Sequence, residues 1–170
     1  MNNTGAMIRK LEEKDYTAAI ELVNENWKSV YADFISPGVI SDSGCRSRAE
    51  EILQEFSVHK WDEYIWEEDG EVLALLSFGN AEDEDKQGAF EVRRIYVLME
   101  AQGRGIGKTL LRFAEKSAAE KGGNEIVLWA MKENLRAIGF YQKAGYRPEK
   151  EEYLGDKYRT FAVRMIKKLL

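Results

Sequence analysis

The feature that most limits what this chain can fold into is a glycine-rich loop standing between a strand-like run and an amphipathic helix. Ile95-Tyr96-Val97 reads as the end of a strand, Leu98 to Ala101 breaks it, and Gln102-Gly103-Arg104-Gly105-Ile106-Gly107-Lys108 opens a helix predicted from Gly105 to Lys121. The first amides of a helix have no internal acceptor, so with the helix dipole they form a site for a phosphate or pyrophosphate. Glycines let such an anion approach the backbone, and Arg104 and Lys108 are placed to add countercharge.

Spacing separates the kinds of anion site. A dinucleotide fingerprint, G-x-G-x-x-G, begun at Gly103 needs glycine where Lys108 stands. The P-loop pattern G-x-x-x-x-G-K-[ST] is suggested by Gly107-Lys108-Thr109, but its first glycine falls on Gln102. What fits is Gln-x-x-Gly-x-Gly.

Around this loop the pattern is strand, helix, strand, helix. A strand is predicted from about Ala89 to Val97, another from Glu125 to Met131, and a helix from Asn134 to Ala144. Gly122-Gly123 and Gly145 stand where left-handed helix stops are needed. Two further strands, near Tyr146 to Leu154 and Lys157 to Ile166, are joined through Gly155-Asp156. The first half opens with a strand near Met7 to Leu11 and a helix from about Asp15, its N-cap, with Ala19, Ile20, Val23 and Trp27 at helical spacing. A second helix, roughly Arg46 to Phe56, carries Ala49, Ile52, Leu53 and Phe56 on one stripe, after a loop with a Pro37-Gly38 turn. Tyr64 to Trp66 and Val72 to Leu76 flank Asp69-Gly70, a tight-hairpin signal. The acidic run Glu82-Asp83-Glu84-Asp85 reads as a solvated loop. Short antiparallel pieces at both ends and one crossover between them describe a mixed sheet.

A second constellation follows the loop: Asn134, Ala137, Ile138, Phe140, Tyr141, Gly145 and Tyr146. Asn134 and Tyr141 are two helical turns apart and share one side of their helix. Together, Gln-x-x-Gly-x-Gly and Asn-x-x-Ala-Ile-x-Phe-Tyr-x-x-x-Gly-Tyr resemble the motifs of the GNAT superfamily of N-acetyltransferases. The resemblance covers Ala89 to Tyr146 with specific motifs, and the rest only through the order of elements. It implies an α/β (α+β) single domain: a mixed, mostly antiparallel sheet of six to seven strands flanked by about four helices. It implies that Gln102, Gly103, Arg104, Gly105, Ile106, Gly107 and Lys108 cradle the pyrophosphate of acetyl-CoA. In the same way Asn134 is expected to contact the pantetheine arm, and Tyr141 to lie near the thioester sulfur. Backbone groups of Ile95, Tyr96 and Val97 are expected to pair with the pantetheine amides, as an added strand does.

Acetyl transfer to an amine needs a neutral nitrogen, whereas a free alkylammonium has a pKa of about 10.4, so a base or a water chain must take a proton. Glu91, on the strand before the loop, is the candidate base, and Tyr141 the candidate acid for the leaving thiolate. The expected reaction is direct attack by a primary amine in a ternary complex. The acceptor stays open between a small cationic amine such as a polyamine and a peptide N-terminal or lysine amine. Trp27, Tyr31 and Phe34 suit a cation. A coenzyme A binding module without catalysis is the alternative, and a P-loop nucleotide binder the third class.

Composition removes several other classes. A net charge of -5 supplies no general basic face for nucleic acid. One cysteine, Cys45, and one histidine, His59, are too few for a common zinc site, so no metal is expected. The chain has no apolar run of spanning length and no secretory pattern at its start, so no membrane contact and a cytoplasmic location are expected, and a homodimer stays open. Residues 1–6, before Met7, read as a disordered extension or cloning remnant, leaving 7–170 as one domain.

Overall fold

The computed structural model describes residues 5–169. Residues 1–4 of the expected N-terminal extension lie outside them, and Gly5 and Ala6 precede the first strand without regular structure. Seven strands form one sheet: β1 (Met7–Lys10), β2 (Asp62–Glu68), β3 (Glu71–Asn80), β4 (Phe90–Val97), β5 (Glu125–Met131), β6 (Arg147–Tyr153) and β7 (Phe161–Lys168). Their spatial order is β1-β2-β3-β4-β5-β7-β6. Every pairing is antiparallel except β4 with β5, the two strands joined through a helical crossover. The helices are α1 (Tyr16–Tyr31), α2 (Pro37–Ile40), α3 (Asp42–Ser57), α4 (Ile106–Glu120) and α5 (Leu135–Lys143).

The hairpin between β2 and β3 turns on Asp69 and Gly70, at φ 51° and 82°, the pair of positive angles that a two-residue loop of this kind requires. Helix α4 buries Ile106, Leu110, Leu111, Ala114 and Ala118, one stripe at helical spacing. That stripe packs on Leu76, Phe78, Phe90, Val92 and Leu128, from three adjacent strands. The opposite face of β2 and β3 is covered by α1 and α3 through Ala19, Val23, Ile52 and Phe56 against Ile65 and Leu75. None of the described helices is long and apolar enough to cross a membrane.

Three expectations change. Pro37-Gly38 starts a one-turn helix rather than a turn, and the helix after it begins at Asp42, where the Ser41 hydroxyl accepts from the Gly44 amide at 3.2 Å. Asp15 is the N-cap of α1, but its carboxylate is spent on the Glu12 amide and the Arg9 guanidinium. Gly123 has no left-handed backbone to serve; a Cβ there would stand 2.5 Å from the Phe90 ring, so close packing demands the glycine.

The acidic run is the largest correction. Arg164, on β7 and 1% exposed, takes Asp83 at 2.9 Å, Asp85 at 2.6 and 2.8 Å, and Glu149 at 2.7 Å. The Trp129 indole donates to Asp83 at 3.2 Å, and Lys86 bridges Glu125 and Glu149 at 2.8 Å each. The hydrogen-bonded guanidinium holds the Asp85 carboxyl well below the usual carboxylate range. The run is therefore a strap pinned across β5 and β7, because a buried guanidinium without carboxylates would be too costly to keep. Asp83→Asn is expected to lower unfolding free energy by about 1 to 3 kcal/mol, since Arg164 keeps two other acids. Glu84→Gln, at an exposed position without an ion pair among the described residues, should stay within about 0.5 kcal/mol. Urea melts of the two variants check this, and equal midpoints would return the whole run to solvent.

Candidate active site

β4 and β5 pair only at Phe90 with Ile126, Glu91 with Val127 and Val92 with Leu128. Beyond those three pairs the strands part, so from Arg93 onward the edge of β4 that faces β5 has no partner strand. Inside a protein such an edge is a template for an extended ligand. On the other side of β4 the register skips Arg93 between Phe78↔Val92 and Ser77↔Arg94, a bulge that bends the strand as it leaves β5.

The opening is a cavity of about 510 Å³. It runs from the glycine loop and the start of α4, along Arg93 to Val97, to Asn134 and Tyr141 on α5, with Asn26 and Tyr31 of α1 closing it. Ile95, Tyr96, Val97, Gln102, Gly103, Gly105, Ile106, Gly107, Lys108, Asn134 and Tyr141 all line it, so eleven of the thirteen residues singled out in the sequence share one space. Arg104 and Glu91 do not line it.

Gly103 and Gly105 have φ 79° and 82°, a left-handed backbone that side chains rarely adopt. Thr109 is the first residue of α4 whose amide finds a backbone acceptor, Gly105 O at 3.0 Å. Among the described residues, the amides from Gly103 to Lys108 have none, and all of these residues but Arg104 line the cavity at the positive end of the helix. A ribbon of unpaired amides with Lys108 beside it fits a pyrophosphate, and the unpaired edge of β4 fits the amide-bearing arm that follows.

Individual side chains refine the sequence reading. The Gln102 amide donates to Val97 O at 3.1 Å, next to the Asn26 amide on the same oxygen at 3.2 Å. Gln102 therefore shapes the loop from within. Arg104 is held by Glu68 at 2.7 and 2.9 Å, turned away from the cavity. Asn134 caps α5 by accepting from the Ala137 amide at 3.2 Å, which leaves its NH₂ free to face Tyr31. Glu91 is 4% exposed, 3.8 Å from the Arg93 guanidinium; burial raises its pKa, with Asp83 adding to the rise.

The Tyr141 hydroxyl makes no hydrogen bond among the described residues; burial, then the neighbouring Tyr96, pushes it well above the usual phenol range. Tyr96 accepts from the Trp27 indole at 3.0 Å. The Tyr31 hydroxyl lies against Tyr96, Tyr141 and Asn134, and burial raises it as well. Asn26 and Trp129, which also line the cavity, escaped the sequence reading. Asn26 left a trace there, as a polar residue between Val23 and Trp27 on the apolar side of α1; Trp129 left none.

Known proteins share both the sequence pattern and this geometry. The acetyltransferase (GNAT) family model matches residues 17–146. A spermidine N(1)-acetyltransferase of Thermoplasma acidophilum is 31% identical over 153 residues, covering 84% of this chain and 88% of its own. An uncharacterized N-acetyltransferase of Lactobacillus delbrueckii subsp. lactis is 29% identical over 92% of this chain and 94% of its own. Among solved structures, a PaiA N-acetyltransferase from Thermoplasma acidophilum in complex with coenzyme A superposes with a TM-score of 0.76 at 28% identity, over 96% of this chain and 99% of its own. With the splayed strands, the amide-lined loop and the family match all falling on the same segment, the chain belongs to the GNAT family and is an N-acetyltransferase that takes its acetyl group from acetyl-CoA.

Proposed function

We propose that this enzyme acetylates a primary amine by direct attack in a ternary complex, with a small cationic amine of the polyamine kind as first acceptor and a peptide amine as second. The observation that carries the reading is that one cavity joins the unpaired amides of Gly103 to Lys108, the free edge of β4 and the Tyr141 hydroxyl. Acetyl-CoA supplies an activated acyl group on a thiol leaving group. The loop amides and Lys108 hold its phosphates, and Arg104 joins them only by leaving Glu68. Ile95 and the Val97 amide offer backbone groups to the pantetheine arm; the Val97 carbonyl is already engaged, and the backbone of Tyr96 faces Leu75 in the β3 ladder, in phase with the Leu98 amide on Leu73 O. The Asn134 NH₂ adds a side-chain donor on the cavity wall for that arm.

Tyr141 gives its proton to the departing sulfur. Glu91 receives a proton from the attacking amine through water, since it does not line the cavity; its raised pKa brings it nearer to working pH, where a base is most effective. No covalent enzyme intermediate is required. Tyr31, which lines the cavity and packs with Trp27, Phe34 and Tyr158 in one aromatic cluster, suits an acceptor cation, although the Trp27 face already carries Arg48 at 3.9 Å, and the name of the Thermoplasma relative supports a polyamine. A soluble acceptor in the cytoplasm, rather than nucleic acid, fits the net charge of -5.

An amine panel containing spermidine, putrescine, lysine-bearing peptides and free peptide N-termini, assayed by thiol release from acetyl-CoA, tests this directly. Turnover is expected to be fastest with spermidine. Acetyl-CoA binding without turnover on any amine would leave only the coenzyme A binding module.

A further inference from the structure

Three phenols meet at the inner end of the cavity, and one of them has no part in the scheme above. Tyr141 is the acid, yet its surroundings serve it poorly. A phenol of about 10 giving its proton to a thiolate of about 8.5 is already working uphill, and burial steepens the climb. The phenolate left behind needs a donor. The Tyr141 hydroxyl has none among the described hydrogen bonds; the phenols beside it are Tyr96 and Tyr31, and all three line the cavity.

Tyr96 is held in a definite sense. The Trp27 indole can only donate, so at 3.0 Å the Tyr96 oxygen is the acceptor and its own O–H must point elsewhere. Tyr31 crowds the same oxygen from α1, and the Asn134 NH₂ faces Tyr31 in turn. Trp27 and Tyr31 pack edge to face, centroids 4.7 Å apart, which fixes both rings on one helix. With its acceptor side taken, Tyr96 has the cavity left for its proton, and both it and Tyr141 line that cavity. These contacts join β4 to the end of α1 and the start of α5 beside the Asn26 amide on Val97 O.

We propose that Tyr96 is a positioning residue for the acid: oriented by Trp27 and Tyr31, its hydroxyl donates to the Tyr141 oxygen as that oxygen loses its proton. The inference rests on the reading of Tyr141 as the general acid. In the step, the Tyr141 O–H bond breaks and an S–H bond forms on the leaving thiol. The electron pair stays on the Tyr141 oxygen, where it meets the Tyr96 O–H. Tyr96 keeps its own proton, and Tyr141 recovers one from water after product leaves. A donor to a developing charge acts in the transition state and not in substrate binding, so its loss changes rate and leaves affinity alone.

The experiment is a double-mutant cycle read by single-turnover acetyl transfer to the best amine of the panel, with coenzyme A affinity by calorimetry and acceptor KM measured alongside. Tyr96→Phe is expected to slow transfer about 10- to 100-fold, as for a hydrogen bond to a charged group, with Kd and KM within about two-fold. In the Tyr141→Phe background the same substitution should cost less than about two-fold, because the oxygen it serves is gone. The Trp27→Phe, Tyr96→Phe pair leaves no orphaned indole N–H; it should show the same rate loss and carries the test if Tyr96→Phe does not fold. Tyr141→Phe at the wild-type rate removes the acid reading underneath. A slow Tyr141→Phe beside an unimpaired Tyr96→Phe, effects that multiply in the double variant, or a loss confined to KM overturns the role of Tyr96 itself.

Discussion

Gly105→Asp is expected to abolish acetyl-CoA binding while leaving the protein folded. Two physical effects combine at this position. Gly105 sits at φ 82°, where an L side chain is strained by about 1 to 2 kcal/mol, a modest cost to the fold. A Cβ there meets no protein atom within 4 Å, so the new side chain projects into open space beside the helix start. That space adjoins the unpaired amides and is the proposed seat of the pyrophosphate, so a carboxylate would both fill it and repel the phosphate charges. It would also consume the positive end of α4 with its own charge. A loss of more than about 100-fold in affinity is expected, the sum of one displaced set of charge-assisted hydrogen bonds and a like-charge contact. Gly105→Asn separates the contributions, because asparagine tolerates the same backbone and carries no charge; its affinity should fall between the two. Calorimetry showing wild-type affinity in folded Gly105→Asp would remove the loop from the cofactor site.

The loop was legible in the sequence because its determinants are local. Two positive φ angles, a strand before and an apolar stripe after are all properties of consecutive residues, and glycine spacing records them. The same holds for Asn134 and Tyr141, whose shared side follows from helix geometry. The gap between β4 and β5 was not legible. Both strands can be read from their residues, but where pairing stops after Val92 and Leu128 is a fact of three-dimensional bend and bulge. Nor was the strap: Asp83 and Arg164 are 81 residues apart, and nothing in an acidic run says that a buried guanidinium awaits it. Gln102 and Arg104 show a third limit. Their spacing is plain in the motif, whereas the partners of their side chains, Val97 O at the end of β4 and Glu68 on β2, are set by the fold. For Glu91 the strand can be read from its residues but not the depth: the carboxylate is 4% exposed and does not line the cavity.

Tyr141→Phe isolates the chemistry that this geometry supports. The substitution keeps the ring, which packs edge to face on Phe140 at 5.2 Å and on Tyr146 at 5.9 Å, and removes one hydroxyl that has no hydrogen bond among the described residues. Stability should therefore change little, and a small rise would not be surprising for a buried polar atom taken away. The cofactor's phosphates and amides are held elsewhere, so its Kd should hold. Departure of the thiolate, by contrast, loses a positioned acid, an effect of typically 10²- to 10⁴-fold, or about 3 to 5 kcal/mol of barrier. A fall in kcat with Kd preserved marks an interaction made in the transition state. Product release can hide that fall in steady state, which makes the single-turnover rate the proper observable. If folded Tyr141→Phe transfers acetyl at the wild-type single-turnover rate, water or the cofactor itself handles the sulfur's proton, and Tyr141 is a core aromatic whose hydroxyl happens to face the cavity.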